Sequence, residues 1–415
     1  MLTMGTWTHA WLVLLIIFAG GLMVSKISEK ARIPDVAAYL VYGIMIGPAV
    51  LNWIHVSSQS EVNQFILNLG ATLILFEGGR GVELAMLKRV WLSISLLATL
   101  GIFVTASVVG IGAHFLLKTP WLLSFLIGAV IAPTDPATLI PVFKRVSVLP
   151  KLSQTAESES AFNDATGTVL VVTLMAASAG GSVLSWGAAA YAFVSSVGLS
   201  ILVGLVLGLA ALILVSRRAL GFFYEFSSIV FFVAAIGAYA SAVALHASGY
   251  MAAFVAGIMA GNGRAFGWSL EEHTEANVHH FYNVMTFMMR MAIFVLLGAQ
   301  VNFVLVHRYL WSGLVVVALF MVVGRPLTVL ASMLPDRRAG WQGRELGFMF
   351  WVRETGVIPA ALAGLLVARR VAGADIVSAI TFLAILVTIV VQASTTGLAA
   401  RWLGVLVPHE TLEDL

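Results

Sequence analysis

Residues 157–167 read ESESAFNDATG and bring three carboxylates into a long apolar stretch of the chain. If the stretch is a helix, Asp164 lies one turn beyond Ser160 and two turns beyond Glu157, at spacings i, i+4 and i+7. A carboxylate at membrane depth is costly, and it normally lines a cavity or pairs with a cation. The stretch therefore predicts the centre of an ion-binding site.

The composition of the whole chain predicts its class. Of 415 residues, 60% are hydrophobic and only 10% are charged, as is typical of a polytopic helical membrane protein. Continuous apolar runs argue against a β-barrel, whose strands would alternate. The net charge of +3 is spread over loops and does not indicate nucleic-acid binding, and the absence of cysteine excludes thiol chemistry.

The apolar runs predict an all-α fold with about thirteen transmembrane helices. Residues 1–402 would form the transmembrane domain and 403–415 a short cytoplasmic tail. The predicted spans are 8–25, 34–52, 62–79, 91–117, 120–143, 152–178, 184–215, 223–245, 248–263, 278–299, 309–334, 346–368 and 374–400. Spans 1–6 and 8–13 would be inverted repeats linked by span 7. Residues 264–277, with three glutamates, are predicted to form a loop.

The basic residues predict the topology. With the N-terminus outside and the C-terminus in the cytoplasm, most of the 23 Lys and Arg residues fall on the cytoplasmic side. The few on the outer side are Lys118, Arg308, Arg369 and Arg370. The pair Arg369-Arg370 is the exception to this rule. Arg353, Arg290 and Arg325 fall at membrane depth, and we interpret the last two as packing or snorkelling side chains.

Two spans contain helix-breaking residues. Residues 132–136 of span 5 read APTDP, and two prolines three residues apart should open the helix. Residues 353–359 of span 12 read RETGVIP and combine a buried ion-pair candidate with Gly and Pro. If the halves are inverted repeats, these spans correspond, and broken helices in corresponding positions indicate the binding site of a transporter.

A small cation needs several hard oxygen ligands to replace its water shell. The candidate ligands are Asp164, Asp135, the Ser160 and Thr134 hydroxyls, backbone carbonyls freed by the proline break, and Glu77 of span 3. Because burial disfavours a charged carboxylate, Asp164 could hold a proton or join a cation site, but not both at once. Binding the cation on one side of the membrane and a proton on the other, at the same carboxylate, would exchange cation for proton.

Two further glutamates have structural interpretations. Glu159 lies on a neighbouring stripe of the same helix as Asn163, and Arg353 is its expected partner in a structural ion pair. Glu157 either lines an entry funnel or is a solvated carboxylate near a helix N-terminus. Two alternatives stay open for the ligands themselves. Asp135 could simply cap a half-helix, and Glu77 could be solvated at the end of its helix.

Several residues together carry a family resemblance: Glu159, Asn163 and Asp164, the Thr134-Asp135-Pro136 run one span earlier, and Arg353 near the end. This combination resembles the monovalent cation:proton antiporters, and within them the prokaryotic electroneutral sodium/proton exchangers. The resemblance implies a homodimer of thirteen-helix protomers. It also implies a mobile six-helix core with two crossed, broken helices and elevator-like transport.

The same resemblance assigns roles to residues. Asp164 would be the shared cation/proton carboxylate and Asn163 would orient the site, while Glu159 would pair with Arg353. The electrogenic branch has an aspartate in place of Asn163 and a lysine on a later helix. Neither is present here, so the resemblance implies one cation for one proton.

The sequence thus predicts a secondary active antiporter that exchanges Na⁺, or Li⁺ or K⁺, for H⁺ across the cytoplasmic membrane, with no cofactor. One alternative is a K⁺/H⁺ antiporter of the same fold. Another is a cation channel, although the sequence has no repeated selectivity-filter loop. A membrane enzyme is disfavoured because no metal-binding or nucleophile cluster occurs in the apolar spans.

Overall fold

The structure is a computed structural model that describes residues 6–31, 34–56, 60–178 and 186–407. Those ranges contain no β-strand beyond a single bridge between Val148 and Leu406. Seven helical segments within them are long and apolar enough to cross a membrane, and four shorter apolar helices accompany these. The predicted all-α polytopic fold is therefore confirmed, while the count of thirteen crossings and the inverted repeats stay predictions.

The α-helices of these ranges follow one another with short connections. In chain order they are α1 (Thr6–Leu15), α2 (Gly21–Ala31), α3 (Asp35–Ile46), α4 (Glu61–Arg80), α5 (Leu84–Ala98), α6 (Leu100–Leu117), α7 (Trp121–Ile131), α8 (Pro136–Val146), α9 (Pro150–Ser178), α10 (Trp186–Val215), α11 (Ser227–Ala244), α12 (Gly249–Gly261), α13 (Glu272–Ala299), α14 (Phe303–Arg308), α15 (Leu310–Leu319), α16 (Arg325–Met333), α17 (Gly343–Trp351), α18 (Val357–Ala368), α19 (Ala374–Val387) and α20 (Ser394–Leu403). Short π-helical turns join α1 to α2, α15 to α16 and α19 to α20.

The helices pack in two groups. The first group, α1–α4 with α10–α13, encloses two apolar clusters that contain Phe76, Phe231 and Phe294. The second group, α5–α9 with α14–α20, encloses two clusters around Phe320 and Phe348. The groups meet where α9 packs against α10 and α12, and also where α4 packs against α8 and α18 and α13 packs against α18. The stretch 157–167 therefore lies on a helix of the second group that faces the first.

Two element boundaries differ from the prediction. The helix predicted to begin at residue 91 begins at Leu84, and the exposed Lys88 and Arg89 belong to its first turns. A break at Thr99 divides this helix into α5 and α6. The predicted 264–277 loop is wrong from residue 272 onward, where α13 begins. Glu272 and Glu275 lie in the first turn of α13, where a negative charge complements the helix dipole.

The start of the predicted tail is not a free extension. The Leu149 backbone N–H donates to the Val405 carbonyl at 3.0 Å, and the Val407 N–H donates to the Ser147 carbonyl at 2.9 Å. Val405 is fully buried against the α8–α9 connection. Residues 408–415 lie outside the described residues, and the division into a domain of residues 1–402 and a tail stays a prediction.

Glycines allow α4 and α12 to pack closely within the first group. A Cβ at Gly257 would come within 2.9 Å of the Phe76 carbonyl carbon. We expect Gly257→Val to lower the free energy of unfolding by about 1–3 kcal/mol, because overpacking forces the helices apart. Thermal unfolding in detergent measures the loss. Gly198→Val in α10 is the control, since no atom lies within 4 Å of a Cβ there. Equal melting temperatures for the two variants would contradict this packing argument.

Candidate functional site

The two predicted helix interruptions are confirmed, and they lie against each other. The first leaves 132–135 non-helical between α7 and α8, and the second leaves 352–356 non-helical between α17 and α18. The Asp135 N–H donates to the Glu354 carbonyl at 2.9 Å, and Arg353 donates to the Ala132 carbonyl. Backbone groups freed by one break are thus paired with groups of the other, as burial requires.

A glycine permits the close crossing of the two breaks. A Cβ at Gly356 would come within 2.9 Å of the Asp135 Cβ and would overlap the Asp135 carboxylate. The second break is also fixed to α19, because the Thr355 N–H donates to the Thr388 hydroxyl at 3.2 Å. The crossing therefore holds Asp135 directly against the backbone of the second break.

The hydroxyls expected at the site belong to one hydrogen-bonded network. The Asn163 Nδ2 donates to the Thr134 Oγ1 at 2.8 Å, and this hydroxyl donates to the Ser160 Oγ at 2.9 Å. The Thr134 backbone N–H donates in turn to the Asn163 Oδ1 at 3.3 Å. All three side chains are buried. This network fixes α9 to the first break and gives Asn163 an orienting role in the geometry.

Asp164 lies next to this network and is 1% exposed. Neither of its carboxylate oxygens has a hydrogen-bond partner among the residues that the structure describes. Asp135, which is 2% exposed, interacts electrostatically with it. An unmatched carboxylate in a dry interior is unfavourable unless it is neutralised. The geometry at Asp164 therefore fits a site that a proton or a cation completes.

The structure places Asp135 at the start of α8, and its role as a ligand of the cation stays a prediction. Its carbonyl accepts the Thr138 and Leu139 N–H groups at 3.3 and 3.2 Å, so it lies at the start of α8. Its Oδ2 accepts the Thr138 hydroxyl at 3.0 Å. The carboxylate thus belongs to the start of a half-helix and also lies close to Asp164.

Glu159 faces two arginines. Arg353, the expected partner, forms an ion pair with its Oε1 at 4.0 Å, and Arg325 binds both of its oxygens at 2.5 and 2.9 Å. Arg325, interpreted from the sequence as a packing or snorkelling side chain, is the closer partner, and this interpretation is corrected. Its Nε also donates to the Met349 carbonyl at 2.8 Å, near the end of α17. The Arg353 guanidinium also lies 4.9 Å from the centre of the Phe320 ring.

Glu77 does not join the group around Asp164 in the structure. Its Oε2 binds Arg80 at 2.8 Å, and its Oε1 lies 3.3 Å from the Nδ1 of His279. Arg80 in turn binds Glu275 at 2.5 Å. Position 77 is one turn before the end of α4, where basic side chains of α4 and α13 are within reach. The expectation that Glu77 lines the cation site is therefore not met by these contacts.

Glu157 is half-buried, two turns before Asp164 along α9. Nearby, the Gln154 side chain accepts the backbone N–H of Glu83 at 3.3 Å, which joins the same part of α9 to the start of α5. The role of Glu157 in an entry funnel stays a prediction.

Sequence reasoning assigned no role to two further groups near the site. Glu354 is fully buried, and its Oε1 accepts the Thr396 hydroxyl at 3.3 Å. Its position beside Arg353 in the second break was the available signal. Tyr250 of α12 interacts electrostatically with Asp164 and donates its hydroxyl to the Asn68 Oδ1 at 2.6 Å. Tyr250 falls in a run of small residues that indicates only close packing.

The charges at the crossing do not balance. Four buried carboxylates, those of Asp135, Glu159, Asp164 and Glu354, face the buried guanidinium groups of Arg325 and Arg353. Because charge in a low-dielectric interior must be compensated, the excess of carboxylates requires protons, a bound cation or both. The arrangement can therefore exchange a bound cation for a proton.

Comparisons relate the chain to known transporters. A family model described as "Sodium/hydrogen exchanger, transmembrane" matches residues 13–402. The chain is 30% identical over 402 residues to the probable Na⁺/H⁺ antiporter 2 of Methanocaldococcus jannaschii, with 91% of this chain and 93% of that one covered. It is 29% identical over 398 residues to the K⁺/H⁺ antiporter NhaP2 of Shewanella oneidensis, covering 95% and 67%. The structure of the sodium proton antiporter MjNhaP1 from Methanocaldococcus jannaschii at pH 8 is similar with a TM-score of 0.76 at 26% identity, covering 95% and 99%.

The two acids of α9 should respond differently to neutralisation. Glu159→Ala leaves two buried guanidinium groups without their carboxylate, so we expect a loss of about 3–5 kcal/mol in the free energy of unfolding. Asp164→Asn removes a charge that has no hydrogen-bond partner in the described ranges and should leave stability nearly unchanged. Thermal unfolding of both variants in one detergent tests this difference. A similar loss in the two variants would count against the structural assignment of Glu159.

Proposed function

The chain belongs to the sodium/hydrogen exchanger family, and from this premise we propose that Asp164 carries the exchanged cation and proton in turn. The protein is a multi-pass membrane transporter that exchanges a monovalent cation for a proton, and it is not an enzyme. One observation supports the choice of carrier group. Asp164 is buried with both oxygens unpartnered among the residues described, while Glu159 is bound on both oxygens by an arginine.

In this proposal the cation is held by oxygens from both sides of the first break. Asp164 and Asp135 supply negative charge, and the Thr134 and Ser160 hydroxyls supply neutral oxygens, as hard cations require. Asn163 holds Thr134 in place through two hydrogen bonds. When a proton binds Asp164 in place of the cation, attraction falls and the remaining ligands do not suffice to hold the metal ion.

The proposed stoichiometry is one cation for one proton. Either occupant adds one positive charge to the same group, so the charge of the crossing is equal in both transport forms. In this proposal the Glu159–Arg325–Arg353 cluster takes no part in the exchange and holds α9, α16 and the second break together. Exchange of this kind is electroneutral.

We propose elevator-like movement of the second helix group against the first. The site belongs to the second group, and the wall that it faces, with Tyr250 and Asn68, belongs to α12 and α4 of the first. A homodimer in the cytoplasmic membrane completes the proposal. The distribution of basic residues favours the orientation with the N-terminus outside and the C-terminus in the cytoplasm.

Sodium is the proposed substrate and potassium is the second candidate. The Methanocaldococcus relative is named as a Na⁺/H⁺ antiporter and the Shewanella relative as a K⁺/H⁺ antiporter, at nearly equal identity. Proton flux in proteoliposomes, driven in turn by Na⁺, K⁺ and Li⁺ gradients, distinguishes the two.

Replacing the carrier group should abolish exchange. We expect Asp164→Asn to reduce cation-driven proton flux in proteoliposomes to the level of empty liposomes, because the amide neither ionises nor carries a proton. Asp375→Asn is the matched control, since Asp375 is an exposed carboxylate at the start of α19. Full activity of the Asp164 variant, with the folded protein verified by its thermal unfolding, would remove the proposal.

Cation and proton should compete for one group. Lowering the pH protonates Asp164 and weakens cation binding, so the half-saturating cation concentration should rise about tenfold per pH unit in the acidic range, at constant maximal rate. Initial rates measured over a matrix of pH and cation concentration give this slope. A slope near two would show that two protons compete and would contradict one-for-one exchange, and a slope of zero would contradict competition.

A further inference from the structure

A groove of about 780 Å³ opens at the end of the second helix group that the proposed topology places outside. Its wall is apolar and consists of Leu122, Leu123 and Leu126 of α7 with Met175 of α9. Its rim is the connection between α18 and α19, which begins with Arg369 and Arg370. We call this feature the α7–α9 groove. Its volume is in the range of ligand-binding pockets.

The two arginines of the rim are the pair that breaks the positive-inside pattern. Both are exposed, and neither forms an ion pair with another residue in the described ranges. Lys118, another of the four basic residues expected outside, is also exposed and lies two residues before Pro120, which lines the groove. Two of the four basic residues expected outside therefore line this apolar opening, and a third is close to it in the chain.

The backbone conformation of Arg370 is unfavourable for an arginine. Its φ of +53° is left-handed, and it is the second residue after the end of α18. The Arg370 N–H donates to the Val367 carbonyl, and the Val371 N–H donates to the Leu366 carbonyl, both at 3.0 Å. Helix ends with this pattern favour glycine at the left-handed residue. An arginine is therefore not the residue that the turn itself selects.

We propose that the α7–α9 groove binds an anionic phospholipid. Arginine binds phosphate oxygens through paired, charge-assisted hydrogen bonds, and two adjacent guanidinium groups attract a headgroup of net negative charge. The leucines and Met175 then contact an acyl chain that enters between α7 and α9. A transported cation is excluded as the occupant because the rim is positive, and a free anion leaves the apolar wall unused.

The proposal is independent of which ion is exchanged, although its position links it to transport. Met175 lies on α9, the helix that carries Asp164, and the rim connects α18 to α19. A lipid in this groove would contact elements of the second helix group only. It would therefore travel with that group if the group moves.

Lipid binding to the full chain in detergent tests the proposal. The unmodified protein should retain phosphatidylglycerol over phosphatidylcholine in native mass spectrometry, and phosphatidylglycerol should raise its melting temperature. The double variant Arg369→Gln/Arg370→Gly should bind phosphatidylglycerol roughly tenfold more weakly or worse. Without lipid it should melt no lower than the unmodified protein, since glycine suits the left-handed position.

Arg308→Gln is the matched control, because Arg308 is the remaining basic residue expected outside, is exposed and does not line the groove. It should keep the full preference for phosphatidylglycerol. If the double variant keeps that preference, or if Arg308→Gln loses it equally, the site is not this groove and the proposal is overturned.

Two further arms separate a lipid from other anionic partners. Leu122→Trp puts a larger ring into the wall that would contact the acyl chain and keeps both arginines, so it should weaken the binding of phosphatidylglycerol. Inorganic phosphate at the same concentration should neither stabilise the protein nor displace the lipid. Retained lipid binding in Leu122→Trp, or equal stabilisation by phosphate, would show that only the exposed arginines bind an anion and would overturn the lipid site. An acidic protein that copurifies through these arginines in place of lipid would do the same.

Discussion

Charge that is removed from water has to be compensated within the protein, and this constraint organises the helices around α9. The polar backbone groups freed by each broken helix are compensated by the other break, through Asp135 with Glu354 and Arg353 with Ala132. Glu159 is compensated by Arg325 on both of its oxygens. Asp164, on the same helix, is left without a hydrogen-bond partner in the portion of the chain described. The charge of Glu159 is thus compensated permanently by an arginine, whereas the charge of Asp164 must be compensated by a cation or a proton.

The same constraint explains why two acids five residues apart on one helix differ so strongly. A carboxylate bound by a planar guanidinium on both oxygens has little affinity left for a small cation, and protonating it would leave the arginine unmatched. Arg325 also donates a hydrogen bond to the Met349 carbonyl near the end of α17, so it connects α9, α16 and α17. Neutralising Glu159 therefore disturbs three helices at once. The Asp164 carboxylate binds no other helix among the residues described, so a proton and a cation can replace each other there while α9 stays in place.

The sequence was sufficient where the decisive residues are close together in the chain. Spacing along one helix and two prolines were enough to bring Asp164, Ser160 and Thr134 to one place, because helix geometry and proline stereochemistry are local. The choice of partner for Glu159 depends on which arginine of two distant helices comes closest, and the spacing of residues does not determine it. The contacts of Glu77 could not be predicted for a related reason. Its partner Arg80 is local, but His279 reaches it from a helix some 200 residues later. The starts of α5 and α13 were missed because charged first turns resemble loops.

The crossing also constrains how the site can move. Asp135 packs directly on Gly356, and the two breaks share hydrogen bonds between buried groups. A movement that separated α8 from α18 would expose those groups and dismantle the proposed ligand set. Between α9 and α12, by contrast, the contacts include an edge-to-face pair of Phe162 and Phe254 with centroids 5.8 Å apart. Such apolar contacts can slide because they have no fixed donor or acceptor. The apolar contacts of α9 with α12 therefore leave this part of the boundary between the two helix groups able to slide, which is consistent with the proposed displacement of the intact crossing as one body.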